Sequence, residues 1–182
     1  MHTGIGQAPQ RSGILPCQDI KRLCDGKGLI QNADLDCFAP ASYELRIGSY
    51  RHLNERRELR PGEAIEIPPH SFILTGTIET VHLPLDILGM LYLRSTYARL
   101  GLMPWFQGLV DPGYPGALTV ILQNTTCQPV TICCGERLCH IVFETLLEPT
   151  DKPYSGSYLD SPGAAPAVRS EVGRIIRLSR AD

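Results

Sequence analysis

The sequence predicts a mainly β fold, a barrel or sandwich of many short strands, and three features carry that expectation. From Ser42 onward short apolar runs recur: YELRIG, AIEIP, SFILTGTIETVHLP, DILGMLYL, ALTVILQN, PVTICC and LCHIVFETL. Pro, Gly and Asn divide them, with Pro68, Pro69 and Pro84 standing where turns are needed. One central stretch, RSTYARLG over residues 94–101, has helical character instead.

In chain order, residues 1–14 are polar and small and read as a flexible tail, with order beginning near Leu15. The next segment, LPCQDIKRLCDG, places Ile20, Leu23 and Cys24 on one helical face and ends at Gly26, a C-terminal stop signal. Residues 15–148 then form one β domain. The stretch 149–182 reads as a mobile arm or lid, because PTDKPYSGSYLDSPGAAPAV has too few large apolar residues to build a core. Its last segment, RSEVGRIIRLSRAD, suits a short basic helix or a disordered end equally.

Composition limits the function classes. A chain of 182 residues with 43% hydrophobic and 20% charged residues is an ordinary globular domain. A net charge of -2 leaves no basic footprint for a nucleic-acid partner. No stretch approaches the roughly 20 apolar residues that span a bilayer, and the N-terminus has no apolar leader. A soluble, cytoplasmic protein without a membrane partner is expected. Seven cysteines, an odd number without a CxxC pair, read as reduced buried thiols rather than a metal or disulfide set.

Two segments combine polar groups with turn chemistry. Arg94-Ser95-Thr96-Tyr97-Ala98-Arg99 offers two guanidiniums and two hydroxyls at the start of a helical turn, which suits phosphates. It equally suits a surface turn capped by Ser95. Gln107 to Gly116 leads through Gly108 and Val110 into Asp111 and a Pro-Gly turn, then Tyr114. A plain β-hairpin would need the same residue types.

The order of these segments with GERLCHI, residues 135–141, is what becomes specific. LRST, GLVDPGYPG and GERLCHI resemble, in register, the motifs of the dUTPase and dCTP deaminase superfamily, and SYELRIG resembles the deaminase branch's SYDLRLG. The resemblance implies a distorted antiparallel β-barrel assembled as a homotrimer. Nucleotide sites would lie at subunit interfaces, with a pyrimidine deoxynucleoside triphosphate bound together with Mg2+. By position, Arg94 and Ser95 would contact phosphates, with Thr96 and Arg99 beside them. Gly108 and its neighbours, Gln107 and Val110 among them, would read the base through backbone groups. Tyr114 would pack on the deoxyribose, and Asp111 would sit beside the sugar and the catalytic water. Tyr154 and Tyr158 would cover the base or sugar. His140 replaces a family Gln and reads as a structural strand histidine.

The deaminase branch carries a glutamate on the strand after Tyr114 to activate water. Ile121 stands there in this chain, and isoleucine cannot accept a proton. The zinc deaminase elements HxE and PCxxC are absent as well. The arm lacks the Arg- and Gly-rich dUTPase closing motif, and Ser157 and Ser161 replace the Lys and Gln usual in the deaminase branch. The leading expectation is therefore a diphosphohydrolase, most simply dUTP to dUMP and pyrophosphate. A dCTP deaminase and a non-catalytic nucleotide-binding trimer are the alternatives. Gln107, with Trp105 and Phe106, adds the possibility of a changed base or sugar preference.

Overall fold

The computed structural model describes residues 13–52, 55–105 and 108–168. Gln107 and Phe106, the tail over 1–12 and the closing segment 169–182 lie outside the described residues. The strands are β1 (Gly13–Ile14), β2 (Ile30–Gln31), β3 (Phe38–Ala39), β4 (Ser42–His52), β5 (Glu55–Glu58), β6 (Ala64–Ile67) and β7 (Phe72–His82). They continue as β8 (Ile87–Leu93), β9 (Leu102–Pro104), β10 (Leu109–Val110), β11 (Pro115–Asn124), β12 (Val130–Cys133), β13 (Arg137–Thr145) and β14 (Ser161–Pro162). Two helices, α1 (Cys17–Lys27) and α2 (Ser95–Arg99), and a 3-10 turn at Leu35–Cys37 complete the described residues.

Each apolar run of the sequence becomes one of the longer strands, and their alternation turns one side chain in two toward a common core. In β11, for example, Val120, Leu122 and Asn124 are buried while Thr119, Ile121 and Gln123 are half-exposed. The long strands curl into a mainly antiparallel sheet in the order β10-β8-β13-β4-β7-β11-β14, with β6 and β12 forming a separate two-stranded ladder. Tyr43, Phe143, Leu45, Ile47, Leu122 and Ile141 fill the interior. The core also admits a wholly enclosed acid. Glu79, fully buried, accepts from the Tyr43 hydroxyl at 3.0 Å and pairs with Arg46 Nε at 2.7 Å, so its charge is matched.

Three boundaries differ from expectation. The fold begins at Gly13, two residues inside the expected tail, because Gly13 and Ile14 find partners in Thr145 and Glu144 of β13. Helix α1 runs through Gly26 and stops at Gly28. There a φ of 66° lets the backbone N–H reach back to the carbonyls of Cys24 and Leu23, a conformation glycine adopts without strain. Ser95 does not cap α2. Arg94 holds the N-cap position, and no side chain there bonds the helix.

The hairpin expected around Asp111 is also corrected. A turn closed by the Tyr114 N–H on the Asp111 carbonyl, 3.1 Å, links β10 to β11, but the two strands do not pair. β10 pairs β8, whereas β11 pairs β7, β9 and β14. The turn therefore crosses between ladders, and among the described residues β10 has a free edge, at one end of the strand order.

All seven cysteines are free, with Cys37, Cys134 and Cys139 buried and Cys127 exposed. No helix among the described residues is long and apolar enough to cross a membrane.

Candidate functional site

A cavity of about 240 Å³ opens between β8, β10, β11 and the C-terminal arm, toward the small end of ligand pockets. Leu74, Leu91, Leu118 and Ile121 supply apolar wall, and Gly108, Leu109, Val110 and Asp111 supply the opposite rim. Val110 is buried and Asp111 is exposed at the mouth. Tyr114, also buried, donates its hydroxyl to the Ala117 carbonyl at 3.0 Å and meets the Tyr154 ring edge-on at 5.1 Å. Burial pushes the Tyr114 hydroxyl up to about 12, so it is a neutral donor across the physiological range.

The rim carries an unused pair of backbone groups. Leu91 N–H donates to the Gly108 carbonyl at 2.9 Å, and Leu109 stands opposite Met90. Bonded and non-bonded pairs alternate along an antiparallel ladder. Leu109 thus directs its N–H and C=O away from β8, off the free edge of β10, beside the apolar wall. One donor next to one acceptor, at the mouth of a slot with apolar walls, suits the edge of a planar base.

The arm builds the remaining wall. Tyr154 N–H donates to the Pro112 carbonyl at 2.9 Å, Asp160 N–H to the Pro115 carbonyl at 3.2 Å, and β14 runs parallel to β11 from Gly116 to Ala117. Tyr154, Tyr158, Ser161 and Ala165 consequently face the cavity. A second cavity of about 440 Å³ adjoins the first at Asp111 and Tyr154, with Thr150, Lys152 and Ser155 on its walls. Lys152 is the one cation among the described residues lining either cavity.

Arg94, Ser95, Thr96 and Arg99 do not line these cavities. They follow β8 directly after Leu93, where α2 is only five residues long and its dipole is correspondingly small. What gathers there is a set of cations around one acid. Glu44 on β4 receives Arg94 Nε at 2.8 Å and Arg137 at 2.8 Å, with His140 Nε2 3.9 Å away. The other nitrogen of His140 meets the Ser42 hydroxyl at 3.1 Å, so the ring is tied into the strand array. Ser95, Thr96 and Arg99 are exposed beside this cluster.

Sequence reasoning did not single out Glu44 or Arg137, although both fall inside resembling segments, SYELRIG and GERLCHI. Their signal was register: β4 and β13 pair antiparallel, which brings the two segments side by side. Ala165 was missed because only docking of the arm brings it to the cavity, whereas Thr119 was missed although it shares the face of β11 that carries Ile121.

Among the described residues no three His, Cys, Asp or Glu side chains converge on a point that would hold a metal. The chain offers no cage of its own, and Mg2+ would fit here only on the oxygens of a bound triphosphate.

Comparison with known proteins agrees with this geometry. A family model described as dCTP deaminase-like matches residues 14–146. The chain is 37% identical over 134 residues to the dCTP deaminase of Pyrococcus horikoshii, covering 73% of this chain and 85% of that one. It is 35% identical over 153 residues to the probable deoxyuridine 5'-triphosphate nucleotidohydrolase of Sulfolobus islandicus rod-shaped virus 1, covering 82% and 95%. Among solved structures, the 2'-deoxycytidine 5'-triphosphate deaminase from Agrobacterium tumefaciens shares the fold. The TM-score is 0.64 at 22% identity, over 75% of this chain and 49% of that one. The chain belongs to the dCTP deaminase-like family, within the dUTPase and dCTP deaminase superfamily.

Proposed function

We propose that this protein hydrolyses a pyrimidine deoxynucleoside triphosphate, most simply dUTP to dUMP and pyrophosphate. The observation that carries the reading is Ile121. It lies in the wall of the cavity, and Asp111 is the sole carboxylate among the described residues that line it. Deamination needs a group that takes a proton from water beside the base and returns it, and the apolar wall at Ile121 supplies none. Asp111 is exposed, which supports a role at the sugar and α-phosphate end of the ligand rather than beside the base.

In this reading the base enters the slot against Leu109, Tyr114 packs on the sugar, and Asp111 orients a water and accepts its proton. The water oxygen bonds to the α-phosphorus, the bridging P–O bond breaks, and pyrophosphate departs with the electron pair. Mg2+ belongs to the reading as a companion of the triphosphate, and the step at Asp111 does not run through it.

The homotrimer is part of the same proposal. Among the described residues Lys152, in the adjoining cavity, is the one cation near Asp111, and Arg94 and Arg137 do not line either cavity. A second copy offering Arg94, Ser95, Thr96 and Arg99 would complete the site. Exposed Phe72, Met103 and Trp105, on β7, β9 and the segment after it, give such copies apolar surface to bury. A cytoplasmic setting, where nucleotides are made, fits the reduced cysteines.

The second reading, a dCTP deaminase, is favoured by the 37% identity to a protein of that name. Incubating the protein with dUTP and with dCTP, and scoring pyrophosphate and ammonia separately, divides the two. Pyrophosphate from dUTP, abolished by Asp111→Asn, is the expected result. Ammonia from dCTP without pyrophosphate would replace the hydrolase reading with the second.

A further inference from the structure

Arg51 on β4 and Arg56 on β5 stand directly opposite one another in the ladder. Like charges in a cross-strand pair repel, so the arrangement calls for a compensating partner. The partner is the backbone of the C-terminal arm. Arg51 Nε donates to the Ala164 carbonyl at 2.9 Å, Arg56 Nε to the Gly163 carbonyl at 3.0 Å, and a second Arg56 nitrogen to the Pro162 carbonyl at 2.9 Å. Glu58 pairs with Arg56 as well and steadies its guanidinium.

Other features converge on the same three residues. Gly163 lies against Gly76 of β7 so closely that a Cβ on Gly76 would stand 2.9 Å from the Gly163 carbonyl carbon and 2.8 Å from Ala164 N. Ala164 is fully buried, with a φ of 48°, a left-handed conformation that alanine adopts only when its surroundings impose it. One residue further, the Ala165 N–H donates to the Thr119 hydroxyl at 3.0 Å on the cavity face of β11.

We infer that Arg51 and Arg56 are positioning residues for the nucleotide: they latch the arm so that Tyr158, Ser161 and Ala165 stand as a wall of the cavity. The inference rests on the nucleotide reading above and deepens it. A latch that grips three consecutive carbonyls is indifferent to the side chains of the arm. That explains how Ser157 and Ser161 can replace the Lys and Gln of the deaminase branch while the wall is kept. It also means that the chain closing the apolar slot is its own, whereas the phosphate cluster has to come from elsewhere.

The test uses the full-length protein with Arg51→Ala, Arg56→Ala and the double variant. Arg56→Gln, which retains much of the stem, serves if the double variant does not fold. Three readouts are taken: hydrogen exchange over residues 158–165, affinity for a non-hydrolysable imido analogue of dUTP by calorimetry, and turnover of dUTP at saturation. The expected result is faster exchange in that segment together with an affinity loss of about tenfold or more, with turnover at saturation changed far less. Unchanged exchange, or faster exchange with unchanged affinity, overturns the latch as a positioning device. A wild-type protein that binds neither the dUTP analogue nor dCTP instead overturns the nucleotide reading, and the exchange data then judge the latch by themselves.

Discussion

Arg94 Nε lies 2.8 Å from Glu44 Oε1, and the same carboxylate holds Arg137 through its other oxygen. One largely buried acid thus aims two guanidiniums that belong to different strands. In Glu44→Ala the two cations lose their shared acceptor and repel each other, and stability should fall by about 1–3 kcal/mol. Because the cluster is assigned to phosphates, affinity for dUTP should fall further than affinity for deoxyuridine. Urea unfolding and calorimetry with both ligands check this, and an equal loss for the two ligands would detach the cluster from phosphate binding.

Asn124 is a buried polar residue whose work is structural. Fully buried at the end of β11, it donates to the Ile67 carbonyl at 3.0 Å and the Gln128 carbonyl at 2.7 Å. Its carbonyl oxygen accepts from the Thr126 N–H and hydroxyl at 2.9 and 2.8 Å. Asn124→Ala strands several of these groups and should cost about 3 kcal/mol in denaturant unfolding. It lies off the cavity, so specific activity of the folded fraction should be retained.

Alkaline pH should expose the buried hydroxyl and thiol. Burial raises Tyr114 and Cys139 to about 12 each, above the ordinary tyrosine and cysteine values of 10.0 and 9.0. A raised value in the folded state means stability that is complete below the unfolded value and is lost as pH rises toward the folded one. The loss therefore runs from about 10 to about 12 for Tyr114 and begins near 9 for Cys139. Melting temperature followed against pH should decline through that window, less steeply in Tyr114→Phe. An identical decline in the variant would place the titration elsewhere.

How much of this was legible in the sequence depends on the range of the interaction that fixes each feature. The long strands and α1 rest on local alternation and periodicity, and YELRIG or ALTVILQN announce them directly. The side of β11 that faces the cavity follows from the same alternation once Ile121 is set against Leu122. The free edge of β10 did not follow, because Asp-Pro-Gly looks the same whether its flanking strands pair with each other or, as here, with β8 and β7. Nor did the arm. Composition speaks only to the arm's lack of large apolar residues and says nothing of where it docks. Its docking draws on arginines 107 and 113 residues away that donate to its backbone carbonyls, which leave no trace in side-chain pattern. Likewise, Arg94 and Asp111 are close in sequence, yet of the two only Asp111 lines the cavities.

The central claim is that chemistry occurs at the α-phosphorus beside Asp111 and not at the base beside Ile121. Turnover of dUTP and dCTP in heavy-oxygen water, read by mass spectrometry, tests it most directly. The account predicts label in the phosphate of dUMP, none in pyrophosphate, and an unaltered base in recovered dCTP. Label on the C4 oxygen of a uracil nucleotide formed from dCTP would contradict it.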